Sequence, residues 1–349
     1  MLTSASSCRQ SMKHTAHSRK TPGELALIAA IRRQAAHLPA SAGLRLGIGD
    51  DCAILRPRDG HEICVTTDFT LENVHFRRDW HSPESVGHRC LARGLSDLAA
   101  MGAQPIAVFL SIALPARLPP RWLDRFLHGF LALAARHRTP LAGGDTAASE
   151  SGSIAADIVA VGEVPAGSAV LRSGARPGDA LYVTGSLGGA AAELRQISRN
   201  PRRFSRMNST SADHPHLYPE PRLAATRRLR QFAHAAIDIS DGLSTDLTHL
   251  CQESGVAALL DEELLPIHPL AGSCPDALKL ALHGGEDYEL LFTAGSSLRV
   301  PRSIAGVPVH RIGTIRRRRP GQPLILLKTR DGSLQPVTAA GWQHFAQVP

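Results

Sequence analysis

Seven aspartates stand out by what flanks them. Asp50 and Asp51, Asp68, Asp145, and Asp238 and Asp241 each close an apolar run beside Gly, Ser or Thr, and Asp97 interrupts an apolar stretch of helical spacing. A carboxylate buried alone costs many kcal/mol. Two arrangements avoid that cost. The residues cap helices and turns, or they converge on divalent cations, whose hard charge takes carboxylate and hydroxyl oxygens. Capping suffices for any one of them, whereas the repeated pattern favours cations. The adjacent pair Asp50-Asp51 repels itself unless a cation or strong donors neutralise it. Thr66 and Thr67, just before Asp68, add hydroxyl oxygens, although they are equally ordinary strand residues. Mg²⁺ is usually shared between one or two carboxylates and substrate phosphates. The natural ligand is then a polyphosphate, and the turn expected at Gly143-Gly144 would let the backbone approach one closely.

Other templates for such chemistry fail. There is no GxxxxGK[ST] phosphate loop. Gly47-Ile48-Gly49-Asp50 lacks the third glycine of a dinucleotide fingerprint, Asp238–Gly242 lacks the downstream Glu of an EF-hand, and no GxSxG elbow occurs. The 17 histidines are scattered and mostly suited to a surface. Only His75, in Asn73-Val74-His75-Phe76, stands close to the aspartates. These residues read as an ATP-using enzyme outside the phosphate-loop class.

The elements that must position them follow from periodicity. With 349 residues, 43% of them hydrophobic, the chain is long enough for two domains of roughly 150 residues. Helical spacing is expected in the segment from Leu25, over Val86–Met101 and Arg121–His137, from Gly188 and over Leu243–Glu253. Strands are expected at Leu44–Ile48, Ile63–Thr67, Ile106–Leu114, Ile154–Val164, Ala180–Thr184, Ala235–Ile239 and Tyr288–Thr293. Strict βαβ alternation is absent, so the expected fold class is α+β or mixed α/β. A boundary is expected where Pro165, Gly167, Gly174, Pro177 and Gly178 cluster. Residues 23–165 then form an N-terminal domain and 166–349 a C-terminal one, after a disordered basic tail over 1–22.

The formal net charge of +8 invites a nucleic-acid reading. The surplus, however, sits in the acid-free tail, in an expected loop at Arg195–Arg206 and in Arg316–Arg319. The segment near 195–220 reads as a basic insertion, and without these three blocks the chain is net acidic. Nucleic acid is therefore not an expected partner. No apolar run reaches the ~18–20 residues a membrane span needs. Six cysteines without CxxC or zinc spacing read as reduced thiols of a cytoplasmic protein. Met12 is a second candidate start.

A set of ordered motifs goes further. Gly23-Glu24-Leu25, GIGDDCAIL (47–55), TTDFTLENVHF (66–76), LSDLAAMGA (95–103), GGDT (143–146), LRSGARPGD (171–179), YVTGSLG (182–188), DISDGLSTDL (238–247), GGEDYELLFT (284–293) and GWQHF (341–345) resemble the thiamine-monophosphate kinases. That family lies within the aminoimidazole-ribonucleotide-synthetase-like superfamily. The resemblance implies a two-domain architecture with an N-terminal dimerising sheet-and-helix domain, a C-terminal α/β domain and the active site in the cleft between them. It implies ATP-dependent phosphorylation of thiamine monophosphate to thiamine diphosphate, several Mg²⁺ ions and a homodimer. It implies metal ligation by Asp51, Thr66, Thr67, Asp68, Asp97, Asp145, Asp238 and Asp241, with Asp50 beside them. ATP would be held by Gly144, Asp145, Arg172 and Ser240, and the thiamine substrate by His75, Glu286 and Trp342. Four positions depart from the family pattern: Gly94 before Leu95, Phe69 after Asp68, and Ala147-Ala148 after GGDT. The tail and the insertion have no counterpart in it.

No general base is expected. The acceptor is a phosphate monoester with a second pKa near ~6, already mostly a dianion at neutral pH. Two rival readings stand beside this one. A sister ATP-using synthetase of the same superfamily would phosphorylate another acceptor. A non-catalytic nucleic-acid binder would act through the arginine blocks.

Overall fold

The computed structural model describes residues 19–20, 24–119, 121–207 and 213–342. Most of the expected tail, Gly23, part of the expected insertion and the end of the GWQHF motif lie outside these. Arg19 and Lys20 pair antiparallel with Leu118 and Arg117, so this end of the expected tail is extended against another chain segment.

Helix α1 spans Glu24–Ala35. A short hairpin of Leu44–Leu46 and Ile54–Leu55 encloses the Gly47–Cys52 turn. The first sheet then forms from β1 (His61–Leu71), β2 (Gln104–Pro115), β3 (Leu141–Ser149) and β4 (Ala155–Pro165), in the order β1-β4-β2-β3. Its pairs are antiparallel except β2 with β3. The expected turn at Gly143-Gly144 is therefore strand interior, and β1 runs on through Asp68 instead of ending there. Both differences arise because pairing with a neighbouring strand overrides a local glycine or aspartate signal.

One face of this sheet is covered by α2 (Pro83–Ala100), with α3 (Trp122–Arg136) packed on it. Ser82 caps α2 by accepting from Ser85 N, and Pro83 opens its first turn, as helix starts prefer. Leu91, Leu95 and Leu98 meet Phe126, Phe130 and Leu133 in the largest core cluster. Each such side chain contributes roughly 1.5–3 kcal/mol by leaving water. The two helix backbones touch at glycine: a Cβ on Gly87 would lie 1.9 Å from Phe126 O, and one on Gly129 would lie 2.0 Å from Glu84 O.

After a loop over 166–179, the second sheet is built from β5 (Ala180–Thr184), β6 (Ala233–Asp238), β7 (Val256–Asp261), β8 (Leu290–Ala294), β9 (Val307–Arg317), β10 (Ile325–Lys328) and β11 (Leu334–Pro336). Their order is β6-β8-β5-β9-β7-β10-β11, with Ser303–Ile304 added beside β9. Helix α4 (Gly189–Arg199) follows β5. Next come α5 (Pro201–Ser205), α6 (Thr226–Phe232), α7 (Leu243–Glu253) and α8 (Ala277–His283). The mixed α/β class is thus the observed one. The arginine block 195–206, read as loop, is helical because Ile197 and Phe204 pack with Leu217 and Tyr218 into a small core of their own. No helix among the described residues is long and apolar enough to cross a membrane.

Candidate active site

A cavity of about 660 Å³ opens where the first sheet with α2 faces the second sheet with α7. Strand alternation and helix spacing bring its polar residues together. On β1, Thr66 and Asp68 point toward α2, where Thr66 Oγ1 donates to Asp97 and Asp68 lies 3.6 Å from Arg93. On α2, Arg89, Arg93 and Asp97 repeat at four-residue intervals and so share one face. Asp238 ends β6 and accepts from Ser96 Oγ at 2.7 Å. Ser240 and Asp241 follow in the turn into α7. The closing segment docks on that turn: Trp342 N donates to Asp241 O at 3.0 Å, and Gly341 N donates to Thr245 Oγ1 at 3.1 Å.

The carboxylates in this cavity are crowded. Burial pushes Asp68 up to about 6, with Arg93 opposing and Asp97 adding to the rise. Burial also raises Asp97, and burial with the charges of Asp97 and Asp246 raises Asp238 well above its ordinary value. Glu286 behaves oppositely. Against the cost of burial, Arg89, His216 and Arg93 hold it well below the usual carboxylate range. Arg89 Nη2 lies 2.5 Å from Glu286 Oε1, and His216 Nδ1 lies 3.1 Å from Oε2. The turn bearing Glu286 is strained, with Glu286 at φ 68° and Tyr288 at φ 50°. Left-handed backbone in side-chain-bearing residues persists where surrounding contacts enforce it.

His75 accepts from Leu71 N through Nδ1 and lines the cavity with Trp342, which is 50% exposed. Arg172 stands exposed at the rim. The cavity therefore gathers Asp68, Asp97, Asp238, Asp241, Arg172, Ser240, His75, Glu286 and Trp342, with Thr66 bonded beneath it.

Four predicted residues and Asp50 lie elsewhere. Asp50, Asp51, Gly144 and Asp145 line a second, more open cleft of about 1040 Å³, between α1, the Gly47–Cys52 turn and β3. There a Cβ on Gly144 would meet Leu110 O at 1.8 Å, so the strand pairing itself requires glycine at this position. Thr67 lies on the opposite face of β1 from Thr66, with Val65 and Phe69, and is exposed.

The donor set suits a magnesium ion in its chemistry. Carboxylate and hydroxyl oxygens of Asp68, Asp97, Asp238 and Thr66 crowd one region, and burial raises all three carboxylates. Among the described residues no three His, Cys, Asp or Glu are grouped so as to hold a metal by themselves.

Sequence reasoning missed Arg89, Arg93, Trp80, His81, His216 and Tyr288, all in or against this cavity. The arginines had a signal, since Arg89-Arg93-Asp97 is a charged line along a helix that is otherwise almost wholly buried. The histidines had none: His81 and His216 are 135 residues apart in sequence, and both are buried.

Comparison with known proteins places this architecture. Residues 49–164 match the N-terminal domain, and residues 176–300 the C-terminal domain, of the AIR synthase related proteins. Thiamine-monophosphate kinase of Salmonella typhimurium is 38% identical over 309 residues, covering 86% of this chain and 92% of that protein. The crystal structure of thiamine-monophosphate kinase from Stenotrophomonas maltophilia K279a matches with a TM-score of 0.76 at 35% identity, covering 91% of this chain and 100% of that one. A structure of AaThiL complexed with AMPPCP and TMP matches with a TM-score of 0.71 at 30% identity, covering 93% and 97%. The chain belongs to the thiamine-monophosphate kinase family.

Proposed function

We propose that the protein transfers the γ-phosphate of ATP directly to thiamine monophosphate, giving thiamine diphosphate and ADP. The observation that carries this reading is the meeting, in one cavity, of three raised carboxylates with residues of the NVHF, GGEDY and GW motifs. The AaThiL structure with AMPPCP, an ATP analogue, and TMP supports the same pair of substrates.

The acceptor phosphate is its own nucleophile, so the protein need only position it and offset repulsion. Two unit charges about 4 Å apart at an effective dielectric near 20 repel by ~4 kcal/mol. Asp68, Asp97 and Asp238, with Thr66 and Asp241, would hold Mg²⁺. Asp51 and Asp145, with Asp50 beside them and Gly144 in the adjoining strand, are assigned to a further ion in the second cleft. Thr67 faces away from the Asp68 group and lies on the sheet face that carries Phe109 and Asp145 of the second cleft. Bound Mg²⁺ supplies charge compensation for the phosphates. Arg172 at the rim offers a planar fork to a phosphate, and Ser240 stands beside it in the cavity. On the other side, Glu286 and His75 face the substrate and Trp342 offers a ring for stacking.

The same reading includes division into units 23–165 and 166–349, a cytoplasmic location and a homodimer. Support for the dimer comes from the outer face of β1, where Ile63, Val65 and Phe69 are 43%, 59% and 60% exposed in one row.

Incubation with Mg²⁺, ATP and thiamine monophosphate should yield thiamine diphosphate and ADP. Asp68→Ala and Asp145→Ala should each abolish turnover with the fold intact by circular dichroism. ATP turnover with a different acceptor and none with thiamine monophosphate would overturn the assignment. Full activity of Asp145→Ala would separate the second cleft from the reaction.

A further inference from the structure

The basic segment 195–220 is the stretch for which the kinase reading supplies no role. Its fold delivers one side chain to the site. Glu193 on α4 is 1% exposed and accepts from His216 N at 2.8 Å, from Leu217 N at 3.3 Å and from His214 Nδ1 at 2.5 Å. The small core of Ile197, Phe204, Leu217 and Tyr218 closes against Trp80 and Met207. His216 is thereby pressed into the active cavity at 2% exposure.

There its Nε2 lies 3.0 Å from His81 Nε2, and its Nδ1 lies 3.1 Å from Glu286 Oε2, off the axis of the ring N–H. Two ring nitrogens facing each other need one donor and one acceptor. Burial lowers the pKa of both rings, which favours their neutral forms. Glu286, ionised between two arginines, only accepts. So the proton of His216 sits on Nδ1, on the side of Glu286, and its Nε2 accepts from His81 Nε2. His81 Nδ1 is then unprotonated and accepts from Arg77 N at 3.2 Å. His81 Nδ1 also lies 3.2 Å from Arg77 O, so it is the Glu286 carboxylate, which only accepts, that sets the direction of the pair. The other carboxylate oxygen is taken by Arg89.

We propose that His216 is a positioning residue for the reaction. It fixes the Glu286 carboxylate in the orientation that receives the thiamine moiety, and the packing of Ile197 and Phe204 with Leu217 and Tyr218 holds it there. This rests on the kinase reading, in which Glu286 faces the acceptor substrate.

The test is steady-state kinetics of the full chain with thiamine monophosphate and ATP varied separately, alongside melting temperatures. His216→Asn places an amide N–H where Nδ1 stood. His216→Gln places it near Nε2, away from Glu286. Losing this polar contact to a charged group is expected to raise KM for thiamine monophosphate about 10–100-fold. His216→Gln and His216→Ala should show that rise with KM for ATP within about twofold of the parent, and His216→Asn should restore most of it. Equal kinetics for His216→Asn and His216→Gln, or an unchanged KM in His216→Ala, would overturn the proposal. Equal loss for both substrates, tracking a fall in melting temperature, would also overturn it by making His216 merely structural. Because the Asn and Gln variants keep a polar side chain of similar size, their contrast remains readable if His216→Ala fails to fold. Absence of turnover in the parent protein would instead remove the kinase reading, and this inference with it.

Discussion

Glu193→Ala offers the sharpest view of how the basic segment is held. The native carboxylate receives two backbone N–H groups and one imidazole nitrogen, all in a nearly closed environment. Hydrogen bonds to a charged group contribute roughly 1.5–3 kcal/mol each, and a buried N–H left without an acceptor costs about 1–3 kcal/mol. These terms overlap, and the small core around Phe204 and Tyr218 remains. A net loss of ~2–4 kcal/mol in the local opening free energy is therefore expected. Amide exchange reports local opening directly, and each ~1.4 kcal/mol is a factor of ten. Exchange of the His216 and Leu217 amides should accelerate about 30- to 1000-fold. Amides of β8 in the second sheet should be unaffected. Hydrogen-exchange mass spectrometry on a peptide spanning 213–222 measures this. Rates within threefold of the parent would refute the argument, because the segment would then be held by its apolar contacts alone. The same variant should raise KM for thiamine monophosphate, since His216 travels with the segment.

Two further outcomes are expected. His88 is buried with Nε2 2.8 Å from Pro219 O, and burial lowers its pKa from 6.5 to about 4. Between those values the folded protein binds fewer protons than the unfolded chain. The stability from neutral His88 is thus fully present above about 6.5 and is lost as pH falls toward 4, by up to ~3 kcal/mol. A Tm series from pH 7 to 4 should show the fall, and His88→Gln, which keeps the donor to Pro219, should flatten part of it; an unchanged slope would refute the assignment. The second outcome concerns the outer face of the first sheet. Val65→Glu places a charge in the exposed apolar row and should convert dimer to monomer in sedimentation equilibrium, whereas a parent protein that is already monomeric would end the dimer proposal.

Much of the architecture was legible because local periodicity and burial agree. Ala180–Thr184 and Leu243–Glu253 are read from sequence with their observed limits, and α2 and α3 to within three residues at either end. Errors occurred where pairing overrode a local signal. Gly143-Gly144 looks like a turn and is strand, because β2 lies parallel to it and leaves no room for a side chain at Gly144. The 195–206 arginines look like loop and are helix, because the apolar partners that justify a helix, Leu217 and Tyr218, come later in the chain.

For the site, residue type was enough to single out the aspartates: a carboxylate ending an apolar run demands a neutralising partner wherever it lies. Ordered motifs were enough to name the family. What residue type does not carry is grouping. Sequence treats Asp51, Asp68, Asp97, Asp145, Asp238 and Asp241 as one set, whereas strand alternation and sheet packing divide them between two clefts and turn Thr67 away from Thr66. Nor does it foretell charge state. Glu286, half-buried, and Asp238, buried, are both carboxylates of one cavity, yet two arginines and a histidine from distant segments hold Glu286 ionised, while Asp97 and Asp246 raise Asp238. Those neighbours meet only in the folded chain, because Coulomb interactions depend on distance in space and screening by solvent, and neither is a property of position along the sequence.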